Sequence, residues 1–283
     1  MKLGVSMWSY FHAWKAGRID VPGFIHEAKR MNADGVELLD FFYKNAETER
    51  PLIQKALDET GLPCCVFSIS QNFAKADEVD RRAELSKIKF GVDEAVRYGA
   101  SVVRVFAGDV PADGSIAFSD ARQWIIDGLA EASIYANEQG VLLALENHGK
   151  LAGRGDQVRD LVLSVRERSK TNTLGANPDT GNFLLVDEKS HCALRDVAEL
   201  AYMVHFKDFL AVPETKEGFV FSSLGGSKFV GAAVGEGSVD LPACVAELKR
   251  AGFTGFVNIE YEAEEDPFTG VPRSVENARA LIG

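Results

Sequence analysis

Short apolar runs alternate with longer amphipathic segments along the whole chain. The segments between the runs carry apolar residues three and four positions apart, as in GVDEAVRYG, which is the periodicity of an amphipathic helix. Strands that alternate with helices pair in parallel through βαβ crossovers. The pattern therefore predicts a parallel α/β fold. Its eight predicted strands cover residues 2–8, 34–40, 64–70, 101–108, 141–148, 174–180, 203–209 and 255–262.

Eight strand–helix repeats in 283 residues match a (β/α)8 barrel, whose usual length is about 250 residues. With 46% hydrophobic residues, the chain can bury a core of that size. The structural alternative is an open, doubly wound sheet, which normally carries GxGxxG in the first βα turn, whereas this turn reads SMWSYFHAW. No linker, low-complexity tract or clear repeat divides the sequence. We therefore expect an α/β, (β/α)8 TIM barrel in a single domain that spans residues 1–283.

Composition argues against several classes of function. The formal charge of −11 disfavours a nucleic-acid binder, because a phosphate backbone requires a basic face. No apolar run approaches the roughly 20 residues of a membrane span, and the N-terminus reads as a strand and carries no targeting segment. The four cysteines show no CxxC spacing, which suits reduced thiols. We expect a cytoplasmic protein with neither a nucleic-acid nor a membrane partner.

Polar residues near the ends of four apolar runs indicate where function resides. In a TIM barrel the carboxyl ends of the strands carry the active site. Three carboxylates cannot stay ionised side by side without a cation, although pairing of these charges with one another is the simpler structural alternative. Three oxygen donors and one nitrogen favour Mn, Co or Mg, because structural zinc prefers cysteine and histidine. The four residues are Glu146, Asp179, His205 and Glu260.

Strand alternation brings further side chains to the same end of the barrel. His148 and Lys207 lie two residues beyond Glu146 and His205, and Trp8 ends the first strand. Two more charged residues, Arg104 and Glu37, lie inside apolar strands, and we predict a buried ion pair between them. Residues 210–238 read as a long irregular stretch, and segments of that length are often lids or binding loops.

Five short motifs resemble the xylose isomerase-like superfamily of barrels. Within it, the sugar phosphate isomerase/epimerase group, including ketose 3-epimerases and hydroxypyruvate isomerases, is most similar, and the resemblance spans the whole chain. It implies that the four polar residues bind one divalent ion, commonly Mn, with Co, Mg or Zn as alternatives. The motifs are ENHG (146–149), DTGN (179–182), HFKD (205–208), GEG (235–237) and NIEYE (258–262).

The resemblance also implies a reaction, divalent-metal-dependent isomerisation or epimerisation of a sugar. Glu146 and Glu260 would act as the acid/base pair. The ion would stabilise an ene-diolate while one carboxylate removes a proton next to a carbonyl and the other returns one. The partner would be a small-molecule carbohydrate, and relatives are commonly homodimers or homotetramers. The residues expected to bind the substrate are Trp8, His148, Asn182 and Lys207.

Departures from the ketose 3-epimerase pattern leave the substrate and the reaction open. Ala152, Asn182 and Ala211 stand where those epimerases usually have Glu, His and Arg. A dehydratase or lyase acting on a keto-sugar or keto-cyclitol, similar to inosose dehydratases, begins with the same enolisation and is the main alternative. An apurinic endonuclease would need many histidines, whereas this acidic chain has five. A non-catalytic sugar-binding barrel would leave the four polar residues without a role.

Overall fold

A computed structural model describes residues 1–111 and 113–283. Eight parallel strands form one sheet in the order β6-β5-β4-β3-β2-β1-β11-β7. Isolated parallel bridges join Ala176 to Ala201 and Asp179 to His205, so the two edge strands β6 and β7 meet and the barrel is nearly closed. This confirms the predicted (β/α)8 barrel. The strands are β1 (Lys2–Ser6), β2 (Gly35–Leu39), β3 (Cys64–Ser68), β4 (Val102–Val105), β5 (Leu142–Glu146), β6 (Leu174–Asn177), β7 (Met203–Phe206) and β11 (Phe256–Ile259).

Helices follow the strands and surround the barrel. Glycines end four of these helices in the left-handed conformation, which carries no Cβ penalty for that residue. They are Gly61, Gly99, Gly140 and Gly252, all with φ between 66° and 71°. Over the described residues, we find no helix of the length and apolar character that crossing a bilayer would require. The helices are α1 (Phe11–Lys15), α2 (Val21–Arg30), α3 (Ala46–Thr60), α4 (Glu78–Tyr98), α5 (Phe118–Glu138), α6 (Gly155–Ser169), α7 (Ser190–Val197), α8 (Leu241–Arg250) and α9 (Pro267–Ile282).

A small apolar cluster, separate from the main core between strands and helices, fills the amino-terminal part of the barrel interior. It includes Ala144 of β5 and Met203 of β7, both fully buried. Side chains two residues apart on a strand share a face, so Glu146 and His205 also point inward, one layer higher. The apolar layer thus forms a floor beneath the polar residues at the carboxyl end.

The stretch after β7 contains three short strands, so the prediction that residues 210–238 are irregular is wrong for residues 210–212, 221–222 and 228–232. Strands β8 (Asp208–Val212), β9 (Phe221–Ser222) and β10 (Lys228–Ala232) form an antiparallel sheet in the order β8-β10-β9. The ring centroids of Phe209 and Phe221 lie 4.7 Å apart on one face of it. Its strands are short and separated by glycine-rich turns, which hides their alternation in the sequence.

Asp208 fixes this small sheet to the rest of the barrel. Its carboxylate accepts hydrogen bonds from the backbone N–H groups of Gly235, Gly237 and Val239, at 2.9 to 3.1 Å. A Cβ on Gly237 would lie 2.1 Å from the Asp208 carboxylate, so the second glycine of the GEG motif is required for this close approach. The motif therefore binds a carboxylate of its own chain.

Candidate metal centre

Four side chains converge at the carboxyl end of the barrel. Each offers one ligand atom, and these atoms all lie within 4.8 Å of one another. Glu146 is the last residue of β5, Asp179 lies two residues beyond β6, and Glu260 directly follows β11. The structure thus brings together the four ligands that the sequence predicted, and all are buried. They are Glu146, Asp179, His205 and Glu260.

His205 lies at the centre of the group. Its Nδ1 atom is 3.4 Å from Oε2 of Glu146, 3.6 Å from Oε1 of Glu260 and 3.8 Å from Oδ2 of Asp179. Neighbouring ligands around an octahedral ion with bonds near 2.1 Å are separated by about 3 Å. The four donors are therefore spaced slightly wider than a bound ion would hold them, and a small inward movement would close them around it.

Glu37, which the sequence analysis did not assign to the site, orients His205. Its Oε2 atom lies 2.9 Å from Nε2 of His205 and accepts a hydrogen bond from the Asn258 amide at 2.9 Å. Its Oε1 atom accepts one from the Ser68 hydroxyl at 2.6 Å. This partner for Nε2 leaves Nδ1 facing the three carboxylates, as in the carboxylate–histidine–metal arrangement of many metal sites.

The predicted ion pair between Arg104 and Glu37 is wrong, because Arg104 pairs with Glu146 instead. Its Nε atom lies 3.2 Å from Oε2 of Glu146, and its Nη1 donates to the Ile69 carbonyl at 2.9 Å. The guanidinium also lies 4.0 Å from the ring centre of Phe106. Strand β4 is hydrogen-bonded to β5, whereas β3 separates it from β2, so Glu146 is the nearer carboxylate.

Lys207 reaches into the same cluster from β7. Its Nζ atom lies 2.5 Å from Oε2 of Glu260, 3.2 Å from Oδ2 of Asp179 and 3.3 Å from Oε2 of Glu262. A Cβ on Gly181 would come within 2.7 Å of the Lys207 side chain, so the glycine of the DTGN motif allows the lysine to pass. One permanent positive charge is therefore built into the cluster.

Hydrogen bonds orient Asp179 so that one carboxylate oxygen remains free. Its backbone N–H donates to the Asn147 side chain at 2.6 Å. Its Oδ1 atom accepts from the N–H groups of Gly181 and Asn182, both at 2.8 Å. Among the described residues, its Oδ2 atom is buried without a hydrogen bond. The nearest positive charge to this oxygen is the Lys207 ammonium at 3.2 Å, and Nδ1 of His205 lies 3.8 Å away. Because it accepts no hydrogen bond from the described residues, Oδ2 keeps a lone pair available for a metal ion.

The electrostatics of the cluster also favour a cation. Burial and the nearby carboxylates of Glu260 and Glu146 outweigh Lys207 and raise the pKa of Asp179 to about 7. Burial alone would lower the pKa of His205, but Glu37, Glu260 and Glu146 raise it well above its usual value. In the absence of a metal ion, these raised pKa values favour the protonated forms of Asp179 and His205. A bound metal ion would displace those protons.

The four residues predicted to bind the substrate have different surroundings. The Asn182 amide donates to Oε1 of Glu146 at 3.2 Å, and Lys207 lies among the carboxylates. Trp8 is connected to the site through Glu262, whose Oε1 accepts from the indole N–H at 2.6 Å. His148 is exposed beside a neighbouring cavity of about 230 Å³, which Asn182 also lines. Asn182 and Lys207 thus contact candidate metal ligands, whereas Trp8 and His148 lie farther out.

The buried oxygen and nitrogen donors fit a divalent cation, and so does Oδ2 of Asp179, which accepts no hydrogen bond within the described part of the chain. Fold and site together define a TIM barrel with a candidate metal centre at the carboxyl ends of its strands. The sequence profile of the xylose isomerase-like TIM barrel family matches residues 25–281, and the chain belongs to that family. A search of curated proteins gives no match.

Solved structures with the same fold include sugar epimerases. The IolI protein with a bound zinc atom has a TM-score of 0.77 and 17% identity, covering 99% of this chain and 96% of that one. The 3-keto-D-glucoside 4-epimerase YcjR from E. coli has a TM-score of 0.74 and 17% identity, covering 99% of this chain and 98% of that one. D-psicose 3-epimerase from Clostridium cellulolyticum H10, solved with D-tagatose, has a TM-score of 0.77 and 13% identity, covering 100% of this chain and 99% of that one. At these identities the likeness establishes the fold alone.

Proposed function

We propose that this protein is a divalent-metal-dependent isomerase or epimerase that acts on a sugar by moving a proton next to a carbonyl. The observation that carries the proposal is the convergence of Glu146, Asp179, His205 and Glu260 within 4.8 Å at the carboxyl end of the barrel. The epimerase names of two structural neighbours support a carbohydrate substrate. Manganese is the ion that we propose, because hard oxygen donors with one imidazole suit it.

The four side chains would hold the ion, and Glu146 and Glu260 would in addition transfer the proton. When bound, the ion supplies positive charge to a substrate carbonyl and the adjacent hydroxyl, which lowers the barrier to removing the neighbouring proton. Burial favours the neutral acid, yet Arg104 and His205 lower the pKa of Glu146, which keeps it ionised and able to accept a proton. Glu260 follows β11, the strand beside β7, and its Oε2 lies 2.5 Å from Nζ of Lys207; we assign to it the return of the proton.

The remaining predicted residues would position the sugar. Asn182 and Lys207 border the carboxylates and offer amide and ammonium donors to substrate hydroxyls. Trp8 provides an apolar surface at the rim, and His148 provides a polar group at the outer cavity. Positioning of this kind matters because proton transfer requires the base within hydrogen-bond reach of the carbon that loses the proton.

Proton exchange measured by NMR tests this function directly. The protein loaded with Mg²⁺ is incubated in D₂O with a panel of ketoses, ketose phosphates, inososes and 3-keto glycosides, and Mn²⁺-loaded protein is used in parallel for product analysis. We expect deuterium to enter next to the carbonyl together with a new epimer or isomer. Asp179→Asn, which removes one ligand at nearly constant volume, should abolish exchange.

The other outcomes separate the alternatives. Loss of water or of a leaving group from the substrate would move the protein to the lyases, which share the enolisation step. Absence of exchange with every compound, by protein whose metal content is confirmed, would contradict the proposal.

A further inference from the structure

An aromatic cavity of about 380 Å³ opens beside the metal centre, between the barrel rim and the small antiparallel sheet. One wall is formed by Trp8 and Phe11, whose rings stack with centroids 5.0 Å apart. The other wall is formed by Phe219 and Phe221, whose rings meet edge to face at 5.1 Å. Four aromatic rings thus enclose a space of the size that small-molecule ligands occupy in proteins, about 300 Å³ or more.

Glu262 joins this cavity to the catalytic end of the barrel. It lines the cavity, and its Oε1 atom accepts a hydrogen bond from the Trp8 indole at 2.6 Å. Its other oxygen lies 3.3 Å from Nζ of Lys207, which in turn lies 2.5 Å from Glu260. Glu262 therefore lies between the metal centre and the cavity, and a substituent on a sugar bound at the metal centre would enter the cavity past this side chain.

The lining of the cavity selects the chemistry of its occupant. Polar side chains also line the cavity, but those of Ser9, Tyr261, Glu262 and Glu265 already form hydrogen bonds within the protein. A second sugar ring would therefore bring several hydroxyl groups against aromatic walls with few free partners, and burying unpaired hydroxyls is costly. A phosphate group would meet the carboxylates of Glu262 and Glu264, which also line the cavity. A planar apolar ring avoids both costs and gains offset and edge contacts with the aromatic side chains.

We propose that this cavity is a substrate subsite for an apolar aromatic substituent, so that the substrate class is a keto-sugar glycoside with an aromatic aglycone. The sugar half of this assignment rests on the proposed function, whereas the chemistry of the cavity rests on its own lining. The small sheet and the turn before β9 then act in specificity, because β9 supplies Phe221 and the turn supplies Phe219, which together form one wall.

A matched pair of ligands tests the subsite independently of turnover. Binding of phenyl β-D-glucopyranoside and of methyl β-D-glucopyranoside to the Mg²⁺-loaded protein is measured by isothermal titration calorimetry. The two compounds share the sugar and differ only in the aglycone, phenyl in place of methyl, and we expect the phenyl glucoside to bind at least about fivefold more tightly. Phe219→Ala should remove most of that difference and leave the methyl glucoside unaffected. Phe219 is half exposed, so the fold should tolerate the change.

Leu210→Ala is the matched control. Leu210 is also a half-exposed apolar residue of the small sheet, but it does not line the cavity, so this variant should keep the preference for the phenyl compound. Equal affinity for the two glucosides in the unaltered protein would overturn the subsite. A Phe219→Ala variant that still prefers the phenyl glucoside would also overturn it. The same holds if Phe219→Ala changes only the oligomeric state measured by light scattering, because the cavity would then face a second copy of the chain. None of these results depends on deuterium exchange, which tests the proposed function separately.

Discussion

Nε2 of His205 lies 2.9 Å from Oε2 of Glu37, and both side chains are fully buried. Glu37 lies on β2 and His205 on β7, and β1 and β11 separate these two strands in the sheet. Their contact therefore crosses the barrel interior. Because the contact occupies one imidazole nitrogen, only Nδ1 remains to face Glu146, Asp179 and Glu260. The arrangement of the four candidate ligands therefore depends on a residue that is not one of them.

Glu37→Gln should weaken metal binding while the protein stays folded. Glutamine can still accept the hydrogen bond from His205, but it lacks the charge that increases the basicity of the imidazole. Loss of such a supporting carboxylate typically lowers metal affinity by about 10- to 100-fold. Titration with Mn²⁺, followed by electron paramagnetic resonance of the free ion, measures the change.

Glu94→Gln provides the comparison for this variant. Glu94 is an equally buried carboxylate, but it lies on α4 and pairs with Arg50 and Arg97, away from the metal centre. Its replacement should lower stability without changing Mn²⁺ affinity. If Glu37→Gln bound Mn²⁺ as tightly as the unaltered protein, the supporting role of Glu37 would be refuted.

Glu146→Gln and Glu260→Gln should each remove most deuterium exchange. General acid and base groups typically contribute about 10²- to 10⁴-fold to the rate, and these variants also weaken one metal ligand. Rates are therefore compared at saturating Mg²⁺, with circular dichroism to confirm the fold. A near-normal exchange rate in either variant would exclude that glutamate from proton transfer.

The barrel and the four converging residues could be predicted from the sequence because both follow from local periodicity. Alternation of strands and helices defines the fold, and a charged residue at the end of an apolar strand marks the functional face. Glu146 and Glu260 are recognisable in this way from VLLALE and GFVNIE. Helix ends such as Gly61 and Gly99 are also recognisable, because glycine adopts the left-handed conformation without a Cβ penalty, although Lys170 ends α6 in the same conformation.

Contacts across the barrel interior could not be predicted in this way. The sequence marks Glu37 and Arg104 as inward-facing charges, but their partners depend on strand order and on distances between side chains from different strands. In the structure, Glu37 pairs with His205, and Arg104 pairs with Glu146. The small sheet after β7 was missed for a related reason, since antiparallel pairing between short strands leaves little periodicity in 210–238.

Mn²⁺ affinity should increase with pH. Burial and neighbouring carboxylates raise the pKa of Asp179 to about 7, and the pKa of His205 is raised as well. Binding must displace these protons, so below pH 7 the logarithm of the association constant should rise by about one or more for each pH unit. Titrations at pH 5.5, 6.5 and 7.5 measure the slope. Asp179→Asn, which has no proton to lose at that position, should bind weakly and with a slope smaller by about one; an unchanged slope would exclude Asp179 as the titrating ligand.

Lys207→Met should make the metal-free protein less stable and yet increase its affinity for Mn²⁺. Lys207 compensates Glu260 and Asp179 within the buried cluster, and leaving buried charges without a partner typically costs about 3–5 kcal/mol. The same positive charge repels a divalent ion bound to those carboxylates, so its removal should tighten Mn²⁺ binding by about tenfold. Urea unfolding with and without Mn²⁺ measures both effects, because the added ion should restore much of the lost stability.

The comparison for this variant is Lys87→Met, which removes an ion pair with Glu84 on α4. Lys87 is about half exposed, so its replacement should change the free energy of unfolding by less than about 1 kcal/mol and leave Mn²⁺ affinity unaltered. Weaker Mn²⁺ binding by Lys207→Met would mean that the lysine holds the carboxylates in position for the ion, and the repulsion argument would fail. Tighter binding accompanied by lost exchange activity would support both the repulsion argument and the substrate-positioning role proposed for Lys207.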